Sequence, residues 1–260
     1  MPSSFSLYSW NVNGIRAAQK KGFLNWVRKQ EPDILCLQEI KAQESDLTQD
    51  LKEIAGYESI WEAGPRKGYG GVAIYTKIKP QQIIKNLGEA ILDEEGRVLT
   101  VNFDQFTLFN IYFPNGKRSP ERLAYKMEFY RRFLNYVKSL KIRNSKLEII
   151  VCGDVNTAHQ EIDLARPAEN AQISGFLPEE RVWIDELLAA GFVDSFRYLH
   201  PKEIAYSWWR QRTRARERNV GWRIDYFFVS ENLQASLLDA QIHSEIAGSD
   251  HCPVSVELQL

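Results

Sequence analysis

Six places in the chain carry residue types suited to polar chemistry: Asn11 with Asn13, Glu39, Tyr112 with Asn115, Asp154 with Asn156, Asp225, and Asp250 with His251. Each lies at the end of a short apolar, strand-like run. The clearest run is 147–152, rich in Ile and Val, which reads as a strand buried on both faces. It is expected to break at Gly153. Asp154 and Asn156 follow two residues apart, so in extended chain both side chains point the same way. An Asx turn leaving the strand is the plainer reading of the same two residues. Taken singly, Glu39 reads as a solvated charge at a helix start, Asp225 as an edge residue and His251 as a satisfied, half-buried histidine. As a set they favour a site, because loops at strand ends are where rigid scaffolds present function.

The chemistries of these residues are compatible. Three acids and an amide offer hard oxygen ligands with no Cys or His cluster, which selects Mg2+ or Mn2+ over zinc. One histidine near carboxylates suits acid–base work near neutral pH, with an Asp fixing its tautomer. Asp250 and His251 are adjacent, so in extended chain they face opposite ways and serve different partners. Asn and Tyr side chains donate to phosphate oxygens without adding charge. No GxSxG, P-loop or GxGxxG is present.

A second feature is the segment 208–218, in which Arg210, Arg212, Arg214, Arg216 and Arg218 occupy every second position after Trp208 and Trp209, with Trp222 just beyond. A charge run is usually a solvated face. Arginine is also the phosphate-binding residue, and the tryptophans could stack on a base or sugar. With Arg66, Lys67, Lys117, Arg118 and Arg122 in two other loops, basic loops with aromatics around an acidic metal centre describe a nuclease surface.

The elements that would position these residues are numerous short strands with helices between them. Strands are expected over 5–10, 33–38, 57–61, 71–76, 97–103, 106–113, 206–209, 223–229, 240–244 and 253–258. Helices are expected over 22–29, 45–54 with Ser45 as cap, 120–141 with Pro120 in its first turn, and 178–190. Hairpins and crossovers together imply mixed sheets packed face to face with helices outside, in one domain over 1–260. The 260 residues are 44% apolar and 26% charged, with net charge −1, an ordinary globular balance in which acids gathered for a metal would hide a basic face. Three cysteines, none in a CxxC pair, read as buried reduced thiols. No apolar stretch approaches the ~20 residues that span a bilayer. A cytoplasmic monomer is expected, nuclear if the cell has a nucleus.

The segments 9–14, 33–39, 71–73, 112–115, 152–156, 219–226 and 248–253 together resemble, in order and across essentially the whole chain, the exonuclease III / class II abasic-site endonuclease family of the DNase I-like superfamily. The resemblance implies a four-layered α/β sandwich. It also implies Mg2+-dependent hydrolysis 5′ to abasic sites in double-stranded DNA, with 3′-end trimming in many members. It implies Glu39 as principal metal ligand, with Asp250 and Asn13 beside it, and Asp154 as the acid that prepares water. Asn156, Asn11 and Tyr112 would bind the scissile phosphate. His251 would contact it, oriented by Asp225. Trp208, Trp222 and Ile224 match the pocket for the flipped-out sugar. Arg118, Asn115, Asn170, Arg210 and Arg212 fall in loops that hold the DNA. Some relatives also incise at uracil or damaged bases, and Lys117 and Lys126 add basic groups near that region. Asn13 replaces an aspartate of some members, Ile173 replaces an asparagine, and Trp208 is larger than the usual phenylalanine. The competing expectations are another DNase I-like phosphoesterase, which should lack the arginine-rich loop, and a non-catalytic damaged-DNA binder, which should have lost Glu39, Asp154 or His251.

Overall fold

The computed structural model describes residues 4–260. In chain order its strands are β1 (Ser4–Asn11), β2 (Ile34–Gln38), β3 (Glu58–Glu62), β4 (Val72–Thr76), β5 (Gln82–Ile84), β6 (Val98–Asn102), β7 (Thr107–Tyr112), β8 (Ile149–Asp154), β9 (Phe192–Asp194), β10 (Trp208–Trp209), β11 (Gly221–Trp222), β12 (Asp225–Ser230), β13 (Leu237–Ile242) and β14 (Val254–Gln259). They form two six-stranded sheets, ordered β13-β14-β1-β2-β4-β3 and β5-β6-β7-β8-β12-β9, and a small β10-β11 ribbon. Each large sheet has one parallel pair, β1 with β2 and β7 with β8, and is otherwise antiparallel. Both are mixed sheets, as the strand pattern implied.

Alternation along the strands makes the layers. Leu108, Ile150, Cys152 and Phe227 point inward and meet Leu7, Ile34, Cys36, Val254 and Val256 of the other sheet. Phe109, Ile111, Ile149 and Val151 point outward and pack on Phe129, Phe133 and Val137 of the helix Pro120–Arg143 and on Trp183 and Ile184 of the helix Pro178–Ala189. On the far side, Tyr8, Trp10, Leu35 and Leu37 pack on Phe23 and Val27 of the helix Phe23–Gln30. The order is helix, sheet, sheet, helix, a four-layered α/β sandwich. The three cysteines are buried and unpaired.

The strand registers align the polar strand ends. Asn11 pairs with Gln38, Tyr112 with Asp154, and Asp154 with Asp225. The ends of all four parallel strands and the starts of β12 and β14 therefore meet at one edge of the sandwich. Two buried amides pin the sheets to each other near it. Gln38 Nε2 donates to Asn110 Oδ1 at 2.8 Å, and Asn110 Nδ2 donates to Leu37 O and Ala73 O. Such groups are costly in a core unless paired; three of the four side-chain polar atoms are, Gln38 Oε1 being left without a partner among the described residues, and the pairs fix the sheet-to-sheet register.

β5, β9 and the helix Ile15–Lys20 stand where no element was expected, and three segments take a form the sequence did not indicate. β8 does not break at Gly153; it runs to Asp154 with Gly153 at φ +133, where a Cβ would stand 1.9 Å from Ile111 O of the parallel neighbour. Glycine is there for a close approach, not to end the strand. The expected 45–54 helix is a 3-10 turn Glu44–Asp46 and a short helix Gln49–Lys52, started at Thr48 rather than Ser45. The arginine-rich segment is two 3-10 turns, Gln211–Thr213 and Ala215–Arg218, separated by Arg214 at φ +50. Its arginines therefore do not share one face.

Replacing Gly153 with Ala should cost about 2–4 kcal/mol, from a positive φ and a steric clash that cannot relax without moving β7. Urea denaturation of G153A measures this; a loss below about 0.5 kcal/mol, the range of ordinary surface changes, would contradict it.

Candidate active site

The meeting edge carries a cavity of about 310 Å3 lined by Asn13, Glu39, Lys41, Tyr112, Asn115, Lys117, Asp154, Asn156, Trp208, Trp222, Ile224, Asp250 and His251. Most residues singled out from the sequence are in that lining. Asn11 and Asp225 stand behind it, both buried.

Asp154 lies between the sheets. Its Oδ2 accepts from Asn11 Nδ2 of β1 at 2.9 Å and from Asn156 Nδ2 at 3.2 Å; its Oδ1 accepts from the Asn156 backbone N–H at 2.8 Å. The last bond is an Asx turn, with Asn156 at φ +57. The turn and the site are thus the same structure. His251 Nε2 lies 3.9 Å from Asp154, and its Nδ1 donates to Asp225 Oδ2 at 2.8 Å. Ser207 Oγ also donates to that oxygen at 2.6 Å, while Asp225 Oδ1 has no partner. Burial pushes Asp154 up; the His251 cation opposes this and the Asp225 carboxylate adds to it, leaving the group at about 7. Burial pushes His251 down, but the Asp225 and Asp154 carboxylates outweigh it and raise the imidazole to about 10. His251 is therefore an imidazolium at neutral pH, with its tautomer question removed by protonation.

Glu39, Asn13 and Asp250 form a second group. Asn11 Nδ2 donates to Glu39 Oε2 at 3.1 Å, so one buried amide joins Glu39 to Asp154. Asn13 Nδ2 donates to Asp250 Oδ1, and Trp208 Nε1 donates to Asp250 Oδ2. The Lys41 ammonium lies between Glu39 Oε1, at 2.9 Å, and Asn13 Oδ1. Burial raises Asp250, but the His251 cation and the Asn13 and Trp208 hydrogen bonds hold it below its usual range. Glu39 and Asn13 oxygens already hold a cation, with the Asp250 carboxylate hydrogen-bonded to Asn13 beside them, an oxygen donor set that fits a hard divalent ion. The ligand atoms of Asp154, Asp225 and His251 also lie within 4.8 Å of one another. Hydrogen bonds occupy that trio except for Asp225 Oδ1, and the imidazolium offers no lone pair to a metal.

Tyr112 remains a phenol: burial and the Glu39 charge raise it well above its usual value. Arg97, buried and paired with Glu95, donates to Tyr112 O at 2.9 Å and holds that strand end. The apolar wall is Trp222 and Ile224, packed with Ala158, Leu164 and Phe176, with Trp208 edge-on to Trp222 at 6.3 Å. Arg223 anchors it from beneath through Asp163 and Asp194.

Several expected roles shift. Asn11 is buried with its amide engaged on two carboxylates, and Asn156 lines the cavity with its Nδ2 engaged on Phe113 O and Asp154. Lys126 is not a DNA-facing group: it is fully buried, donating to Asn156 O, Thr157 Oγ1 and Glu180 Oε1. Arg210 and Asn170 line an adjoining cavity of about 540 Å3 with Lys117, and Arg118 lines a groove beside Tyr112. Arg212 is exposed outside these cavities. Arg214 pairs with Glu217, and Arg216 stacks on Trp209 and donates to Ser244 O and Ile246 O. Sequence reasoning gave no role to Lys41, although it stands two residues after Glu39. It also missed Ser207, for which no sequence signal exists.

Among described residues, no helix is long and apolar enough to cross a membrane. The chain belongs to the Endonuclease/Exonuclease/phosphatase family, whose model matches residues 8–251. Its relatives include the exodeoxyribonuclease of Bacillus subtilis (strain 168), 44% identical over 98% of this chain and 99% of that protein. Another is the DNA repair nuclease APEX1 of Danio rerio, 43% identical over 98% of this chain and 83% of that protein. The crystal structure of AP endonuclease LMAP from Leishmania major superposes with a TM-score of 0.88 at 31% identity, covering 99% of this chain and 88% of that one.

Replacing Asp225 with Asn should drop the His251 pKa from about 10 toward the ordinary histidine range, because the carboxylate that most raises it is gone. Nitrogen-15 NMR of the imidazole reads this directly; an unchanged titration would contradict the assignment.

Proposed function

We propose that this protein is a Mg2+-dependent DNA repair phosphodiesterase that cleaves 5′ to abasic sites in duplex DNA and also trims 3′ ends. The observation that carries this reading is the junction of two features in one cavity: a carboxylate–imidazolium pair beside an oxygen-rich cation site, and an apolar wall of Trp208, Trp222 and Ile224 large enough for a sugar without its base. Relatives named as an exodeoxyribonuclease, a DNA repair nuclease and an AP endonuclease support the same class.

Glu39, Asp250 and Asn13 would hold the ion, with Lys41 displaced, and a bound Mg2+ supplies charge neutralisation at the phosphate. Asp154, near 7, accepts a proton from the attacking water at physiological pH. His251, kept protonated by Asp225, donates toward a phosphate oxygen, and the neutral Tyr112 phenol adds a second donor. The P–O3′ bond breaks and leaves a 3′-hydroxyl. Extruding an abasic sugar costs least because no base is unpaired, and the indoles replace the lost stack. Arg118, Arg210, Arg212 and Asn170 lie around the cavity as DNA contacts, the exposure of the three arginines fitting phosphate binding in solvent.

A duplex with one tetrahydrofuran abasic analogue and its intact control, each with Mg2+ and with EDTA, tests this. Mg2+-dependent incision only 5′ to the analogue is expected, and Asp154→Asn should lower kcat by about 10²–10⁴-fold while leaving binding nearly intact. Equal cutting of both duplexes would refute abasic specificity. A mild loss in D154N would refute the role of Asp154.

A further inference from the structure

Lys117 places a primary amine against the wall of the sugar pocket. The residue as a whole is exposed, yet its Nζ lies 5.0 Å from the Trp208 ring centroid and 4.5 Å from that of Trp222. The amine has no hydrogen-bond or ion-pair partner among the described residues; the backbone N–H of Lys117 donates to Asn115 Oδ1 and fixes the loop. The other amines nearby are committed. Lys41 is held on Glu39 and Asn13, and Lys126 is buried on three acceptors. Desolvation lowers Lys117 below the ordinary lysine range and the nearby Arg210 charge adds to this, with Glu180 and Asp154 opposing. A desolvated amine in an apolar pocket is the usual setting for attack on a carbonyl.

An abasic deoxyribose in its open form carries an aldehyde at C1′. We propose that Lys117 captures that aldehyde as an imine, a covalent, metal-independent activity at the same site. This rests on the abasic-site reading above. The neutral amine attacks C1′, an N–C1′ bond forms, and the carbonyl π pair moves to oxygen. Both amine hydrogens leave with that oxygen as water, and a proton from solvent converts the imine to an iminium. The two indole faces that lie against the ammonium stabilise the iminium in the same way. Attack by water reverses each step and frees the lysine.

The test uses the full chain in EDTA with sodium cyanoborohydride, which reduces an iminium to a stable amine by hydride transfer. One duplex carries a natural, aldehydic abasic site and another the tetrahydrofuran analogue, which has no aldehyde. The expected result is a protein–DNA adduct with the natural site alone, mapped by mass spectrometry to Lys117. In Lys117→Arg, which keeps the positive charge but not the nucleophile, adduct yield should fall at least about tenfold. No adduct from the unaltered protein, or an adduct mapped to Lys41 or another amine, would overturn the proposal without relying on any variant's folding. The same preparation is assayed on the tetrahydrofuran duplex with Mg2+. Incision of that duplex, together with no adduct at the natural site, overturns imine capture alone; no incision removes the abasic-site reading and this inference with it.

Discussion

A carboxylate buried where two sheets meet is the constraint that organises this molecule. Asp154 is 1% exposed, and a charge so placed costs several kcal/mol unless polar partners surround it. Those partners come from both sides of the sandwich. Asn11 reaches it from β1, Asn156 from its own loop, and His251 from the segment that leads into β14. None of them is near it in sequence except Asn156. The fold is the means by which they meet, and the partial compensation leaves Asp154 poised near neutrality rather than fully ionised or fully neutral.

The same constraint explains why polar pins cluster toward this edge of an otherwise apolar interface. Gln38 and Asn110 lock one sheet to the other, while Asn11 ties Glu39 and Asp154 into one unit. Sliding of the sheets would break buried hydrogen bonds at each of these points, leaving donors unpaired at about 1–3 kcal/mol apiece. The loop after β8 is held from below by Lys126, Thr157 and Glu180, and Glu180 also accepts from the Gly175 and Leu177 backbone N–H groups. That network carries Phe176 to the apolar wall, so the wall and the polar floor share one support.

Much of this was legible in the residues. Strand-end polar residues are visible because apolar runs end at them, but Asn13 and Asn156 lie beyond the strands in left-handed backbone, so a turn rather than strand periodicity brings each pair to the site. The Asp250–His251 split was also readable: each has a separate partner in the structure. What stayed hidden depended on distant chain. Gly153 looked like a break because nothing local reveals that β7 passes within contact of it. Lys126 looked like a DNA contact because its acceptors lie 30 to 54 residues away. Its helical spacing to Tyr130, Phe133 and Val137 did mark the buried face, and could have corrected the reading. The alternating arginines marked a basic segment but not its shape, which left-handed backbone at Arg214 breaks into two turns.

The most direct measurement is the titration of Asp154 itself, by carbon-13 NMR of its side-chain carboxyl in EDTA. Burial between the sheets against the opposing His251 cation predicts protonation centred near 7. A titration at or below the ordinary aspartate value of about 4 would mean that the carboxylate is fully compensated or solvated, and the account of this site as a buried, poised base would be wrong.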